Sequence, residues 1–179
     1  MNVTTENYQA EEKLLDGRTV KLRSIHSTDK AILQEGMHHL SPRSLYFRFL
    51  TPKREFSDKE LAYFTEIDNF HHVALLASVS DGEKDIPAAV GRYVMTNTPE
   101  SLLSADIGFA VSDEFQGLGI GTLLFTHLIK IARQAGLKQF TALVLPDNYR
   151  MMSVFRKSEL TIKENANSVG VLELTLSLE

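Results

Sequence analysis

FAVSDEFQGLGIGTLLFTHLIKIARQAG (Phe109–Gly136) sets three glycines, Gly117, Gly119 and Gly121, just ahead of a long amphipathic run. Glycines at such a junction let backbone N–H groups close on an anion, and a helix N-terminus favours negative charge. The spacing points to a phosphorylated ligand, with an ordinary glycine turn as the competing reading. Ile120, Leu124, Leu128, Ile131 and Ala135 recur at helical spacing, and Gly136 is placed to cap the C-terminus.

Working outward, SADIGFAV (104–111) reads as a strand ending just before the glycines. QFTALVL (139–145) is nearly all apolar, as expected of a central strand covered on both faces, and Pro146-Asp147-Asn148 ends it ahead of a helical YRMMSVFRK. Upstream, TVKLRSI (19–25) alternates like a half-buried strand, and Ser27-Thr28-Asp29 offers N-cap chemistry for a helix through about Met37. Ser41-Pro42 opens a second helix and Ser57-Asp58 a third. HHVALLASVS (71–80) and AAVGRYVMTN (88–97) read as strands around Ser80-Asp81-Gly82, and Gly170 to Leu178 is expected to close the sheet. The pattern is one continuous α/β (α+β) chain with no repeat, low-complexity segment or linker.

A chain of 179 residues is long enough for one domain with a real core, here about residues 18–178. The formal net charge of −4 argues against a nucleic-acid or membrane surface. There are no cysteines, which removes disulfides, thiolate nucleophiles and cysteine metal sites together. Met1 to Lys13 is polar and acidic, unlike a targeting signal, and no apolar run approaches the ~20 residues of a membrane span, so the cytoplasm is the expected compartment.

Both common nucleotide motifs fail on spacing. A dinucleotide fingerprint starting at Gly117 needs glycine where Thr122 stands, and no Gly-Lys-Ser/Thr tripeptide provides a P-loop. What remains is the order strand, Gln116-x-x-Gly119-x-Gly121, helix, strand, then Asn148 opening another helix. That order resembles the GNAT superfamily of N-acetyltransferases over roughly Thr19 to Leu160. LRSIHSTDKAILQEGMHHLSPRSLYFRFL, AAVGRYV, ADIGFAVSDEFQGLGIGTLL and ALVLPDNYRMMSVF are similar to the catalytic domain of Pat-type protein lysine acetyltransferases. Several of those carry a regulatory cyclic-nucleotide domain or a synthetase-like region, neither of which fits here, so the catalytic unit alone is expected.

The resemblance implies a mixed, mostly antiparallel sheet flanked by helices, with a central strand pair splaying apart at Val111 and Leu145 around acetyl-CoA. It implies amides at Gln116, Gly117, Gly119, Ile120, Gly121 and Thr122 lining the pyrophosphate. It also implies the Phe109–Val111 strand edge on the pantetheine and thioester carbonyl, with Asn148 and Phe155 against the cofactor arm; Asn148 as a plain helix cap is the alternative. Asp106 matches the position of the general base, with a solvated or paired strand aspartate as the competing reading and Glu66 and Asp68 in reserve. The position of the family's usual acid tyrosine is Phe155, which has no proton to give. Tyr149 and Tyr93 read more readily as surface or packing, so no acid is assigned.

The remaining signals favour structure. Met151 and Met152 read as core or pocket filler, PKREFSDK (52–59) as a solvated loop, and Tyr46 and Arg48 as packing in preference to substrate contacts. The adjacent histidine pairs His38-His39 and His71-His72 lack a third convergent ligand, and no metal is expected. The expected activity is direct acetyl transfer in a ternary complex to a protein lysine, with a small amine or protein N-terminus as runner-up. A non-catalytic acyl-CoA sensor is the alternative class, and a Rossmann-like oxidoreductase a distant third. Oligomeric state is not legible.

Overall fold

The computed structural model describes residues 4–96, 103–166 and 169–179. Eight described strands form one sheet: β1 (Gln9–Lys13), β2 (Thr19–Ser24), β3 (His72–Ser80), β4 (Asp85–Met95), β5 (Ser104–Val111), β6 (Gln139–Val144), β7 (Ile162–Ala166) and β8 (Leu172–Ser177). Their order is β1-β2-β3-β4-β5-β6-β8-β7, antiparallel throughout except for the parallel pair β5–β6. Helices α1 (Lys30–Gly36), α2 (Pro42–Phe49) and α3 (Asp58–Thr65) connect β2 to β3. Helix α4 (Ile120–Gln134) makes the β5–β6 crossover, and α5 (Tyr149–Lys157) leads from β6 towards β7.

The sheet has a hydrophobic layer on each side. Ile25, Leu33, Met37, Leu45, Phe56 and Leu61 meet Ala74 and Leu76 under α1–α3. Val73, Leu75, Ala77 and Val79 face the opposite layer, built around Leu124, Phe125 and Leu128 of α4. The strand covered on both faces is therefore β3. QFTALVL does not have that role: in β6, Phe140, Ala142 and Val144 are buried while Leu143 is 56% exposed. Its apolar run reflects one core face and one face lining a cleft.

Other differences have local causes. Gly170–Leu178 does not close the sheet, because β8 inserts between β6 and β7. The true edges, QAEEK and IKENA, are polar and carry little apolar alternation, as edge strands commonly do. β4 begins at Asp85, with a register irregularity between Ala77 and Ser78 where Pro87, lacking an N–H, enters the ladder. Asn97 lies outside the described residues. In α1 the expected Ser-Thr-Asp cap is replaced by a short 3₁₀ turn, in which Asp29 accepts the His26 N–H and a two-pronged bond from Arg23, both prongs 2.8 Å. Charge-assisted bonds to a buried carboxylate outweigh a serine cap there.

Ser41 and Ser57 cap α2 and α3 as expected, the latter in a capping box with Glu60. PKREFSDK is only partly solvated, since Phe56 is core and Lys53 lies over the Phe49 and Phe56 rings. In α4 the buried stripe ends at Ala132, leaving Ala135 as the C-cap and Gly136 just beyond it at φ +82°. Among the described residues no helix is long and apolar enough to cross a membrane.

Candidate active site

β5 and β6 pair only at Ser104–Gln139, Ala105–Phe140 and Asp106–Thr141, then diverge. A cleft of about 1040 Å³ opens from that fork, lined by β5 from Asp106 to Val111, β6 from Thr141 to Val144, the glycine loop, α2 and α5.

The hydrogen-bond register fixes which way the β5 backbone points. The Ser112 N–H donates to the Ala88 carbonyl at one end of the β4–β5 ladder, and the Thr96 N–H to the Ser104 carbonyl at the other. Alternation in an antiparallel pair therefore gives the even-numbered residues of β5 to β4. Ile107, Phe109 and Val111 direct their N–H and C=O groups the other way, past the last β6 pairing and into the cleft. Only the backbone of Phe109 is available there: its ring is 3% exposed and packs on Phe125 and Phe155. An exposed row of strand amides can pair with an extended ligand and donate to a carbonyl oxygen beside it.

At the far end, Gly117 and Gly119 have φ of +79° and +90°, the left-handed region that side-chain-bearing residues avoid. Gly119 is the N-cap of α4, so the unpaired N–H groups of Ile120, Gly121 and Thr122 open onto the cleft beside it. Gly121 has ordinary helical φ but is needed for packing, since a Cβ there would lie 3.3 Å from Val154 of α5. The Ile120 side chain is core, 1% exposed, leaving its backbone for a ligand. The Gln116 side chain braces the loop: its amide donates to the Val111 carbonyl (3.0 Å) and Ser44 Oγ (3.3 Å), and its carbonyl accepts from Arg150. Gly119→Val would force a β-branched residue into φ +90° and disturb these amides. The expected result is a Kd for CoA raised about tenfold or more, read by calorimetry.

Asp106 stands at the fork, exposed to the cleft, with its carboxylate accepting the Thr141 hydroxyl. The reserve carboxylates are elsewhere and engaged. Glu66 pairs with Lys30, and Asp68 accepts N–H groups from Phe70, His71 and His72 plus the His71 ring, which hold it down at about 2 against its burial. Asn148 caps α5, its Oδ1 accepting the Met151 N–H at 3.2 Å, and borders the cleft as well. Phe155 is 1% exposed, its ring edge-on to Phe125 at 5.2 Å. Tyr93 is fully buried, its hydroxyl has no partner among the described residues and burial pushes its pKa upward, while Tyr149 is 75% exposed at the cleft rim. Met152 is core and Met151 lines the cleft.

The sequence reading missed the cleft's cations, Arg43, Arg150 and Lys157. The signal was present: Arg150, Val154 and Lys157 recur at i, i+4, i+7 on the α5 face turned to Gly121, masked by the overall negative charge. Leu15, 86% exposed, was also missed; it reaches from the β1–β2 turn to within 3.7 Å of a Cβ position on Gly119. Among the described residues no group of three or more acidic or histidine side chains is arranged to hold a metal ion.

Behind α3, His72 is buried, with Nε2 accepting from Arg92 Nη1 at 2.9 Å, and so carries its proton on Nδ1. Burial, then the Arg92 charge, lowers its pKa from 6.5 to about 4. The folded state binds that proton less readily than the unfolded chain, so this stability is complete above pH 6.5 and lost as pH falls towards 4. The expected loss is about 3 kcal/mol across that window by urea unfolding, with His72→Gln flattening the slope.

A splayed parallel strand pair, a glycine turn feeding a helix N-terminus and a carboxylate at the fork together define an acyl-transfer enzyme fold that binds a phosphorylated carrier. The chain belongs to the acetyltransferase (GNAT) family, which matches residues 38–159 and takes its acetyl group from acetyl-CoA. It is 30% identical over 128 residues to an acetyltransferase of Pseudomonas aeruginosa, covering 72% of this chain and 67% of that one. It is 28% identical over 154 residues to acetyltransferase Pat of Mycolicibacterium smegmatis, covering 86% of this chain and 45% of that one, so it spans about half of that protein's length. Among solved structures, the GNAT domain of S. lividans PAT superposes with a TM-score of 0.83 at 31% identity, covering 94% of this chain and 96% of that one.

Proposed function

We propose that this protein transfers the acetyl group of acetyl-CoA directly to the side-chain amine of a protein lysine, with Asp106 as general base. The observation that carries the reading is the fork itself: Asp106 sits at the last β5–β6 pairing, where the free β5 amides begin. Acetyl-CoA would lie with its diphosphate on the amides of Gly119 to Thr122, flanked by Arg43, Arg150 and Lys157, and its pantetheine arm along the edge from Phe109 to Val111. The Phe109 or Val111 N–H would donate to the thioester oxygen as it becomes an oxyanion.

A lysine ammonium, with an ordinary pKa of ~10.4, must lose a proton before attack. Asp106 takes it, directly or through one water. The amine nitrogen then bonds to the carbonyl carbon, the carbon–sulfur bond breaks and CoA leaves as thiolate, while the second nitrogen proton is released. Net products are the acetamide, CoA thiol and one proton. With phenylalanine at position 155 the thiolate departs without a dedicated acid, which a thiol pKa near ~8.5 permits. The protein-lysine acceptor is supported by the likeness to Pat-type sequences and by the exposed Leu143 and Tyr149 at the cleft mouth, which suit a macromolecular surface. The test is thiol release from acetyl-CoA with lysine-bearing proteins beside a panel of small amines. Release with protein and a lysine mass shift is expected; release with small amines alone would reject the protein acceptor.

A further inference from the structure

Two arginines beside the fork have no paired aspartate or glutamate among the described residues. Arg92 is 6% exposed and donates through Nη1 to the Phe64 carbonyl (3.1 Å) and to His72, with its guanidinium 4.5 Å from the Phe64 ring centroid. Arg48, on α2, lies 5.1 Å over the Phe49 ring; among the described residues it has no hydrogen-bond partner. No described aspartate or glutamate pairs with either one. Both border an apolar cavity of about 80 Å³ with Phe49, Phe56 and Phe64, and Arg48 also lines the main cleft. Burial lowers both guanidinium pKa values, and the neighbouring Arg48 charge adds to the effect on Arg92, taking it to about 9.

Arg92 is held out of water, and Arg48 is half-buried at the wall of the cleft. Two like charges so placed with no described counter-anion are unfavourable, and a carbonyl, a neutral imidazole and π faces disperse the charge without cancelling it. The missing anion therefore comes with a ligand. Its place on β5 says which one. The Arg48 guanidinium carbon would be 2.9 Å from a Cβ on Gly108, and Gly108 shares a face with Asp106, two residues and about 7 Å along the strand. The donor's phosphates belong at the glycine loop, beside other cations. We infer that Arg48, backed by Arg92, recognises a carboxylate carried by the acetyl acceptor, close in space to the amine that Asp106 deprotonates. This rests on the acetyl-transfer reading above. A planar guanidinium fork suits a carboxylate, and Gly108, lacking a side chain, leaves room for the guanidinium itself.

The test compares matched acceptors. 5-Aminovalerate against 1-aminopentane isolates a small-molecule carboxylate, and peptides with lysine followed by glutamate or glutamine isolate a protein-borne one. In at least one pair the carboxylate form is expected to have kcat/KM about tenfold higher. Arg48→Gln should erase that preference through KM, leaving kcat for the uncharged acceptor and the Kd for CoA unchanged. Gly108→Ala, whose methyl displaces the guanidinium but keeps the charge, should weaken the preference and guards against a misfolded Arg48 variant. Calorimetry of glutarate with the CoA-bound protein adds a readout independent of turnover: binding in the parent, lost in Arg48→Gln. Arg48-dependent glutarate binding without any acetyl transfer would keep the anion site and reject the activity. No preference in either pair, or no glutarate binding, overturns the inference, as does weaker CoA binding by Arg48→Gln, which would assign the anion to the donor.

Discussion

Asp106→Ala is expected to lower kcat by about 10²–10³ while leaving the Kd for CoA within a few-fold, since a positioned base contributes about that much and Asp106 lies near the start of β5 while the glycine loop follows its end at Val111. The pH profile provides the sharper signature. Without the carboxylate, the variant should regain rate only as rising pH increases the free amine population. Asp106→Asn separates chemistry from packing, because the amide oxygen still accepts the Thr141 hydroxyl. Stopped-flow thiol release at saturating acetyl-CoA measures both. An Asp106→Ala variant with unchanged kcat would remove Asp106 from the chemistry and return it to the strand aspartate that its sequence also allowed.

Phe125→Ala carries the largest expected effect on stability. Phe125 is 1% exposed, edge-on to Phe109 (5.5 Å, 82°) and Phe155 (5.2 Å, 67°), and 6.0 Å from Phe140. These rings join α4, α5, β5 and β6 under the fork, so truncation removes buried area and leaves a cavity between elements fixed by other contacts. The expected cost is 3–5 kcal/mol, about a third or more of a typical domain's stability, read as a lower urea midpoint with little change in slope. Phe109 then loses the nearer of its two described ring contacts. CoA affinity should fall even where the variant remains folded, as the amide row of β5 loses its fixed direction. Phe125→Leu, which retains most of the volume, should recover most of both losses.

These two substitutions divide along the line between what was legible in the chain and what was not. SADIGFAV matched β5 residue for residue, and the glycines, the α4 stripe and the caps at Ser41 and Ser57 followed from local chemistry. Local signals of this kind need only neighbours within a turn or a strand. The polar edges β1 and β7 had no such signal, because hydrogen bonding to one neighbour recruits residues whose side chains stay in water. Asp106 was singled out through its place in a resemblance. Arg92 and the Arg43, Arg150 and Lys157 rim were not singled out, since a cation's meaning depends on what faces it.

Through its resemblance the sequence named the family, and by itself it determined the inner strands, the helices between them and the phosphate-compatible turn at Gly117–Gly121. It did so because periodicity, capping and positive-φ demands are written within short windows. Only the tertiary structure decided that β5 and β6 separate after Asp106, that β3 and not β6 is covered on both faces, and that Arg48 reaches Gly108 with no described aspartate or glutamate paired to it. Those features come from long-range pairing and from helices packed across a sheet. Residues far apart in the chain there share one face, and a charge gains or loses its partner only when the chain has folded around it.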